Sequence, residues 1–247
     1  MDRRSVGRFV IFIGILFSIN SINHQDKGSH SVLVFSKTSG FHHNCIENGN
    51  IAIMDLCKSN GIQVDTTTNP SYFNDEALIK YDAVLFFNTT GDVLNRDQEM
   101  AFERFIQNGG GYVGVHSASD TEYEWDWYGQ LAGAYFVSHP KIQEAKFLVK
   151  DPKFIATNFL PQEWIRADEL YNLKMVNPNV NVILTVDESS YEGGKNGEFH
   201  PMAWYHEYDG GRAFYTALGH TEECYSEAYF LKHILGGIQY AIGNSEK

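Results

Sequence analysis

The sequence predicts an α/β fold, a mainly parallel central sheet with helices on both faces and a β-hairpin late in the chain. Three observations carry this. Short apolar runs alternate with helical spacing from residue 31 to residue 116. Each run ends in a polar loop bearing glycine, asparagine or histidine, as strand exits do in open α/β sheets. Late in the chain, Asp209-Gly210-Gly211 separates two further apolar runs, a strong hairpin signal.

The elements follow in order. Residues 31–35 (Ser-Val-Leu-Val-Phe) form a first strand, ending at a loop that holds Gly40, Phe41, His42 and His43. Ile46, Ile51, Ile53, Met54 and Leu56 recur at helical spacing, and Asn60-Gly61 stops that helix. Residues 62–64 alternate as a second strand. Asn74 opens a short helix over 75–79, and residues 81–87 form a third strand. The helix over 96–108 presents Met100, Phe102, Phe105 and Ile106 as one stripe and stops at Gly109-Gly110-Gly111. Those glycines open the central strand. Its end, Gly114-x-His116-x-Ala118, has the small-x-reactive-x-small form of a nucleophile elbow, with an imidazole in the reactive place. A helix is expected after it, capped by Asp120 or Thr121. The bland reading of the elbow is a buried strand end whose histidine satisfies a backbone carbonyl. Further on, residues 145–149 and 181–186 read as strands, with irregular structure and short strands across 152–171. Residues 202–207 and 212–218 flank the hairpin turn, and 223–243 close the chain as a helix.

The bulk numbers set limits. Nineteen basic and 31 acidic side chains give a net charge of −12, with no basic run after residue 8, which excludes nucleic acid as a partner. Arg3, Arg4 and Arg8 precede the apolar run 9–19 and then a polar segment, the layout of a secretory signal peptide over residues 1–23. Residues 24–30 are a short polar leader, and 31–247 form one domain. The protein is therefore expected in the periplasm or secreted, with no stable membrane insertion after cleavage. Cys45, Cys57 and Cys224 lack metal-binding spacing, and pairing of Cys224 with either other cysteine stays open. The sequence also leaves homo-oligomerisation open.

Histidines and acids gather at the expected strand exits: His42 and His43, His116, His139, Asp168 and Glu169, His220 and Glu222. Trp125, Trp127, Tyr171, Trp204 and Tyr215 lie near them in sequence, although core packing is the commoner fate of such rings. Carboxylates, imidazoles and flat apolar rings suit a small carbohydrate, because rings cover C–H faces while charged groups bond hydroxyls.

These residues carry a resemblance. Val32-Leu33-Val34 with His43, the run from Gly109 to Ser119, Phe136 with His139-Pro140, and Asp168-Glu169-Leu170-Tyr171 are similar to the trehalose-utilisation (ThuA-like) family. So are Pro201-Met202-Ala203-Trp204 and the run from Gly211 through Arg212 to His220. The resemblance covers about residues 31–243. It implies a flavodoxin-like three-layer sandwich of the class I glutamine-amidotransferase type and a tie to sugar metabolism. In that superfamily a cysteine stands on the elbow and a later His-x-Glu completes a triad. Here His116 holds the elbow and His220-Thr221-Glu222 the later place, so His116, His220 and Glu222 are the expected catalytic set. His43, Trp125, His139, Asp168, Glu169, Tyr171, Trp204 and Arg212 are the expected substrate contacts. Without a thiolate at the elbow, glutaminase activity is not expected.

Two chemistries remain for the imidazoles. They trade protons as general acid and base on a sugar or keto-sugar, as an isomerase or hydrolase. Alternatively His116 and His220 bind zinc together with His43 or His139, since three protein ligands and a water make a catalytic zinc site. A non-catalytic sugar-binding or accessory protein is the competing class.

Overall fold

The computed structural model describes Met1 and residues 30–243, so the signal peptide expected over residues 1–23 falls almost entirely outside the described residues. Among the described residues no helix is long and apolar enough to cross a membrane. The first half runs β1 (Ser31–Phe35), α1 (Ile46–Ser59), β2 (Gln63–Thr67), α2 (Asp75–Leu78), β3 (Ala83–Phe87), α3 (Arg96–Gln107) and β4 (Gly111–Val115). Next come α4 (Asp126–Ala132), β5 (Tyr135–Ser138), β6 (Gln143–Val149), β7 (Glu163–Asp168) and β8 (Asn172–Lys174). The chain closes with β9 (Asn181–Val186), β10 (His200–Tyr208), β11 (Gly211–Thr216) and α5 (Ala228–Ala241).

Nine strands form one sheet in the order β2-β1-β3-β4-β11-β10-β9-β6-β7, while β5 and β8 pair separately. The five strands from β2 to β11 run parallel, and β10, β9, β6 and β7 extend the sheet antiparallel. The parallel strands are sandwiched between helices. α1 and α5 pack together on one face, and α2 packs on α3 on the other, beside α4. Every residue of β3 and β4 is buried, as expected for strands covered on both sides. Phe35, Phe73, Phe86 and Phe102 meet at 4.6–5.7 Å, mostly edge to face, and form the core under the second helical layer. On the other face α5 comes so close that a Cβ on Gly111 would lie 2.3 Å from the carbonyl of Ala241. Only glycine fits there. The helix α3 begins with a complete capping box between Asn95 and Gln98.

The hairpin turn is as expected. Tyr208 pairs with Gly211, and Asp209 and Gly210 both have positive φ, 47° and 96°, the two-residue turn whose twist matches its strands. The register matters for the site. Val115 at the end of β4 pairs with Phe87 of β3 and with Thr216 of β11, so these three strands release their following residues side by side.

Several expectations are corrected. The chain leaves β4 into a 3-10 turn over His116–Asp120, and α4 starts only at Asp126 with Trp125 as its cap residue, so neither Asp120 nor Thr121 caps it. Another 3-10 turn, Glu222–Ser226, precedes α5, which starts at Ala228. Within the stretch read as irregular with short strands, residues 163–168 form a six-residue strand, β7. All three cysteines are buried free thiols.

One consequence for acid stability arises in α5. His233 is fully buried, its Nδ1 donates to the carbonyl of Ala156 at 2.8 Å, and its Nε2 has no partner. Burial pulls its pKa down to about 4, while the unfolded chain titrates near 6.5. Between these values the unfolded state binds a proton that the native state refuses, so stability falls as pH drops from about 6.5 to 4. Urea denaturation at pH 7 and pH 4.5 is expected to show that loss, and His233→Gln is expected to reduce it. An unchanged pH slope in the variant contradicts the assignment.

Candidate active site

His116 sits at the elbow with φ of +52°, a left-handed backbone that costs a non-glycine residue on the order of 1 kcal/mol. Surrounding bonds hold it there. Its Nδ1 donates to the carbonyl of Ala217 at 2.9 Å, and its own carbonyl accepts from the Tyr215 hydroxyl at 2.8 Å. Tyr128 bonds the Ala118 carbonyl at 2.8 Å, fixing the turn from below. The bland expectation for His116 is thus realised at one nitrogen, and that same bond decides the tautomer. Because a carbonyl only accepts, Nδ1 carries the proton, and in the neutral ring Nε2 offers a lone pair to the site.

That lone pair faces company. Nε2 of His116, Nδ1 of His220 and Oε2 of Glu169 form a triangle with sides of 3.1, 3.2 and 3.4 Å. His43 adds a fourth group, and the ligand atoms of His43, His116, Glu169 and His220 all lie within 4.8 Å of one another. Three basic atoms this close need shared protons or a cation between them. Two ligands of a tetrahedral zinc, bound at roughly 2.0–2.1 Å, sit about 3.3 Å apart, so this donor set has suitable spacing and chemistry for such an ion.

Burial alone would raise the pKa of Glu169, yet its bonds to His116 and His220 and their charges hold it well below the usual carboxylate range. Burial, with the neighbouring imidazoles of His116 and His220, pulls His43 down to about 3, so its ring stays neutral. His139 stands at the rim, 43% exposed, with Nδ1 2.9 Å from Oε1 of Glu169. Tyr171 lies against His116 with ring centroids 4.1 Å apart, and Phe136 backs Tyr171 at 4.3 Å.

Asp168 works underneath. It is wholly buried and accepts the amides of Glu169, His220 and Gly219 at 2.9, 3.1 and 2.9 Å. Arg166 lies 3.3 Å from it and is itself held between the rings of Trp164 and Phe230. Asp168 therefore sets where Glu169 and His220 stand, rather than facing a ligand.

Four expected residues lie elsewhere. Glu222 opens the 3-10 turn with its side chain exposed, so it is not the carboxylate of the cluster; that place is taken by Glu169. Trp125 bonds Glu103 and stacks on Trp127 and Tyr128. Trp204 is fully buried against Tyr215, its indole donating to Ala132, so it is core and not a wall of the site. Arg212 is at the start of β11, at the opposite edge of the sheet, and caps α5 through the carbonyls of Tyr240 and Ala241. Two residues escaped the sequence reading, Ser117, 3.5 Å from Nδ1 of His43, and Phe41, whose ring meets His43. Only their adjacency to His116 and His43 could have pointed to them.

With this geometry described, comparison with known proteins assigns the family. A family model described as trehalose utilisation (ThuA) matches residues 31–241. The chain belongs to the trehalose-utilisation family. Two solved structures are similar over nearly their full lengths. A putative ThuA-like protein from Bacteroides uniformis is 19% identical, with 92% of this chain and 96% of that one covered and a TM-score of 0.73. Another from Parabacteroides merdae is also 19% identical, covering 89% and 92%, with a TM-score of 0.70. A β-galactosidase from Bacillus circulans shares the fold over 85% of this chain but only 31% of its own, at 12% identity and a TM-score of 0.55. A search of curated proteins found no match. Membership in the trehalose-utilisation family ties the chain to carbohydrate metabolism, and the likenesses establish the α/β fold.

Proposed function

We propose that this protein is an exported enzyme that acts on a sugar or an oxidised (keto) sugar by proton transfer, as an isomerase or hydrolase. The observation that carries the reading is the convergence of His43, His116, Glu169 and His220 at the elbow. His220 is the member of this set most open to solvent, its side chain 19% exposed. In the proposed reaction it takes a proton from a carbon beside the carbonyl or from a hydroxyl. Glu169, held ionised, stabilises the imidazolium that results. His116, locked by Ala217 at its other nitrogen, returns or relays the proton through Nε2. Three of His43, His116, Glu169 and His220 would also suit a zinc with its fourth position open, and zinc held in that way would supply a Lewis acid for a carbonyl or hydroxyl oxygen.

A glutaminase does not fit these residues. No cysteine stands on the elbow, and burial pushes the thiols of Cys45 and Cys224 up to about 12 and about 11. Metal analysis of purified protein, followed by turnover assays on disaccharides and their keto forms, tests the proposal. Turnover of at least one sugar is expected. Binding without turnover across the panel means an accessory protein instead.

Export rests on Arg3, Arg4 and Arg8 preceding the apolar run 9–19. N-terminal sequencing of protein from the native host is expected to find a start between about residues 20 and 31. An intact Met1 in the soluble cytosolic fraction rules export out.

A further inference from the structure

We infer that Phe41 is the platform that receives the flat C–H face of a pyranose ring and turns its polar rim toward His220 and Glu169. The inference rests on the sugar-acting reading above. Phe41 is 65% exposed, which forfeits the burial that normally stabilises an aromatic side chain. Its ring stands edge-on to His43, with centroids 4.9 Å apart. His43 in turn meets His116 and His220 at 5.0 and 5.1 Å. The exposed ring is thus one side chain away from the groups proposed to move the proton.

The loop beneath it is fixed. The amides of Ser39 and Gly40 donate to the Thr90 carbonyl at 2.7 and 3.3 Å, and the Gly40 amide also reaches the Thr90 hydroxyl at 3.2 Å. That hydroxyl donates to the carbonyl of Phe41 at 2.8 Å. The backbone that presents the ring is therefore ordered before any ligand arrives, which lowers the entropy cost of binding. In the same centre Nδ1 of His139 lies 2.9 Å from Oε1 of Glu169, an imidazole and a carboxylate edge. A rigid apolar face beside such an edge complements a pyranose, which has one C–H face and a rim of hydroxyls. A phosphorylated ligand would instead meet a chain of net charge −12. Trp204 and Trp125 do not compete for the role, since both are committed to the interior.

The test compares wild type, Phe41→Ala, Phe41→Trp and His220→Gln. Trehalose, a methyl glucoside and their keto forms are titrated by calorimetry and assayed for turnover, with metal content and melting temperature followed in parallel. Phe41→Ala is expected to raise Kd and KM by about tenfold or more, with a smaller effect on kcat and no change in metal content or melting temperature. Phe41→Trp is expected to keep wild-type affinity. If Phe41→Ala binds as wild type does while His220→Gln is deficient, the platform is wrong and the sugar reading stands. If wild type neither binds nor converts any sugar of the panel, both are overturned.

Discussion

His116→Asn and His220→Gln are each expected to lower turnover of the proposed sugar substrate by about a hundredfold or more. Asparagine is the informative replacement at the elbow, because it tolerates the left-handed backbone better than most residues, so the loss reports chemistry rather than strain. Melting temperature and circular dichroism are expected to stay close to wild type. If the centre holds zinc, both variants also lose metal and a chelator reproduces their defect. Turnover retained within a few-fold in either variant removes that histidine from the proton path.

Asp168→Ala is expected to destabilise the protein by about 3–5 kcal/mol, a melting temperature lower by about 6–20 °C. The change strands Arg166 in the interior and leaves the amides of Gly219, His220 and Glu169 without their acceptor. Glu227, 3.3 Å from Arg166, compensates part of the charge, which points to the lower end of the range. Asp168→Asn keeps one acceptor oxygen, which in the place of Oδ1 still accepts the amides of both Glu169 and His220, so it is expected to be milder than Asp168→Ala, losing mainly the Gly219 bond and the charge opposite Arg166. Urea denaturation of both variants checks this. Wild-type stability in Asp168→Ala shows that the buried carboxylate does not hold the centre together.

The parallel half of the fold is legible because its inner strands β1, β3 and β4 are apolar nearly throughout and its helices keep one stripe toward them. The strand β7 is harder to read for a physical reason. In Glu163–Asp168 the inward positions are Trp164, Arg166 and Asp168, so two of the three buried side chains are charged and the apolar alternation vanishes. The histidines of the cluster are legible because each follows a strand or strand-exit loop at one edge of the sheet. Glu222 misleads because a His-x-Glu spacing says nothing about the 3-10 turn that swings the carboxylate outward. The carboxylate that does arrive, Glu169, comes from β7 at the far edge of the sheet, a long-range meeting that local spacing cannot encode. Trp204 and Trp125 show the same limit in reverse, since nearness in sequence to motif residues left both rings in the core. Arg212 opens β11, and the beginning of a parallel strand lies at the edge opposite to its exit.

The strand β11 is the last in the sequence and yet the middle one of nine, with four strands on either side. Until it is made, the two flanks have no common seam, and neither can become a self-sufficient domain. Folding must therefore wait for contacts as remote as that between Cys45 and Gly219, 174 positions apart, which marks a slow, late-closing topology. The same insertion brings His220 to His116, so the chemistry of the centre appears only in finished molecules. Any ligand gripping those imidazoles selects the completed chain over every partly assembled form.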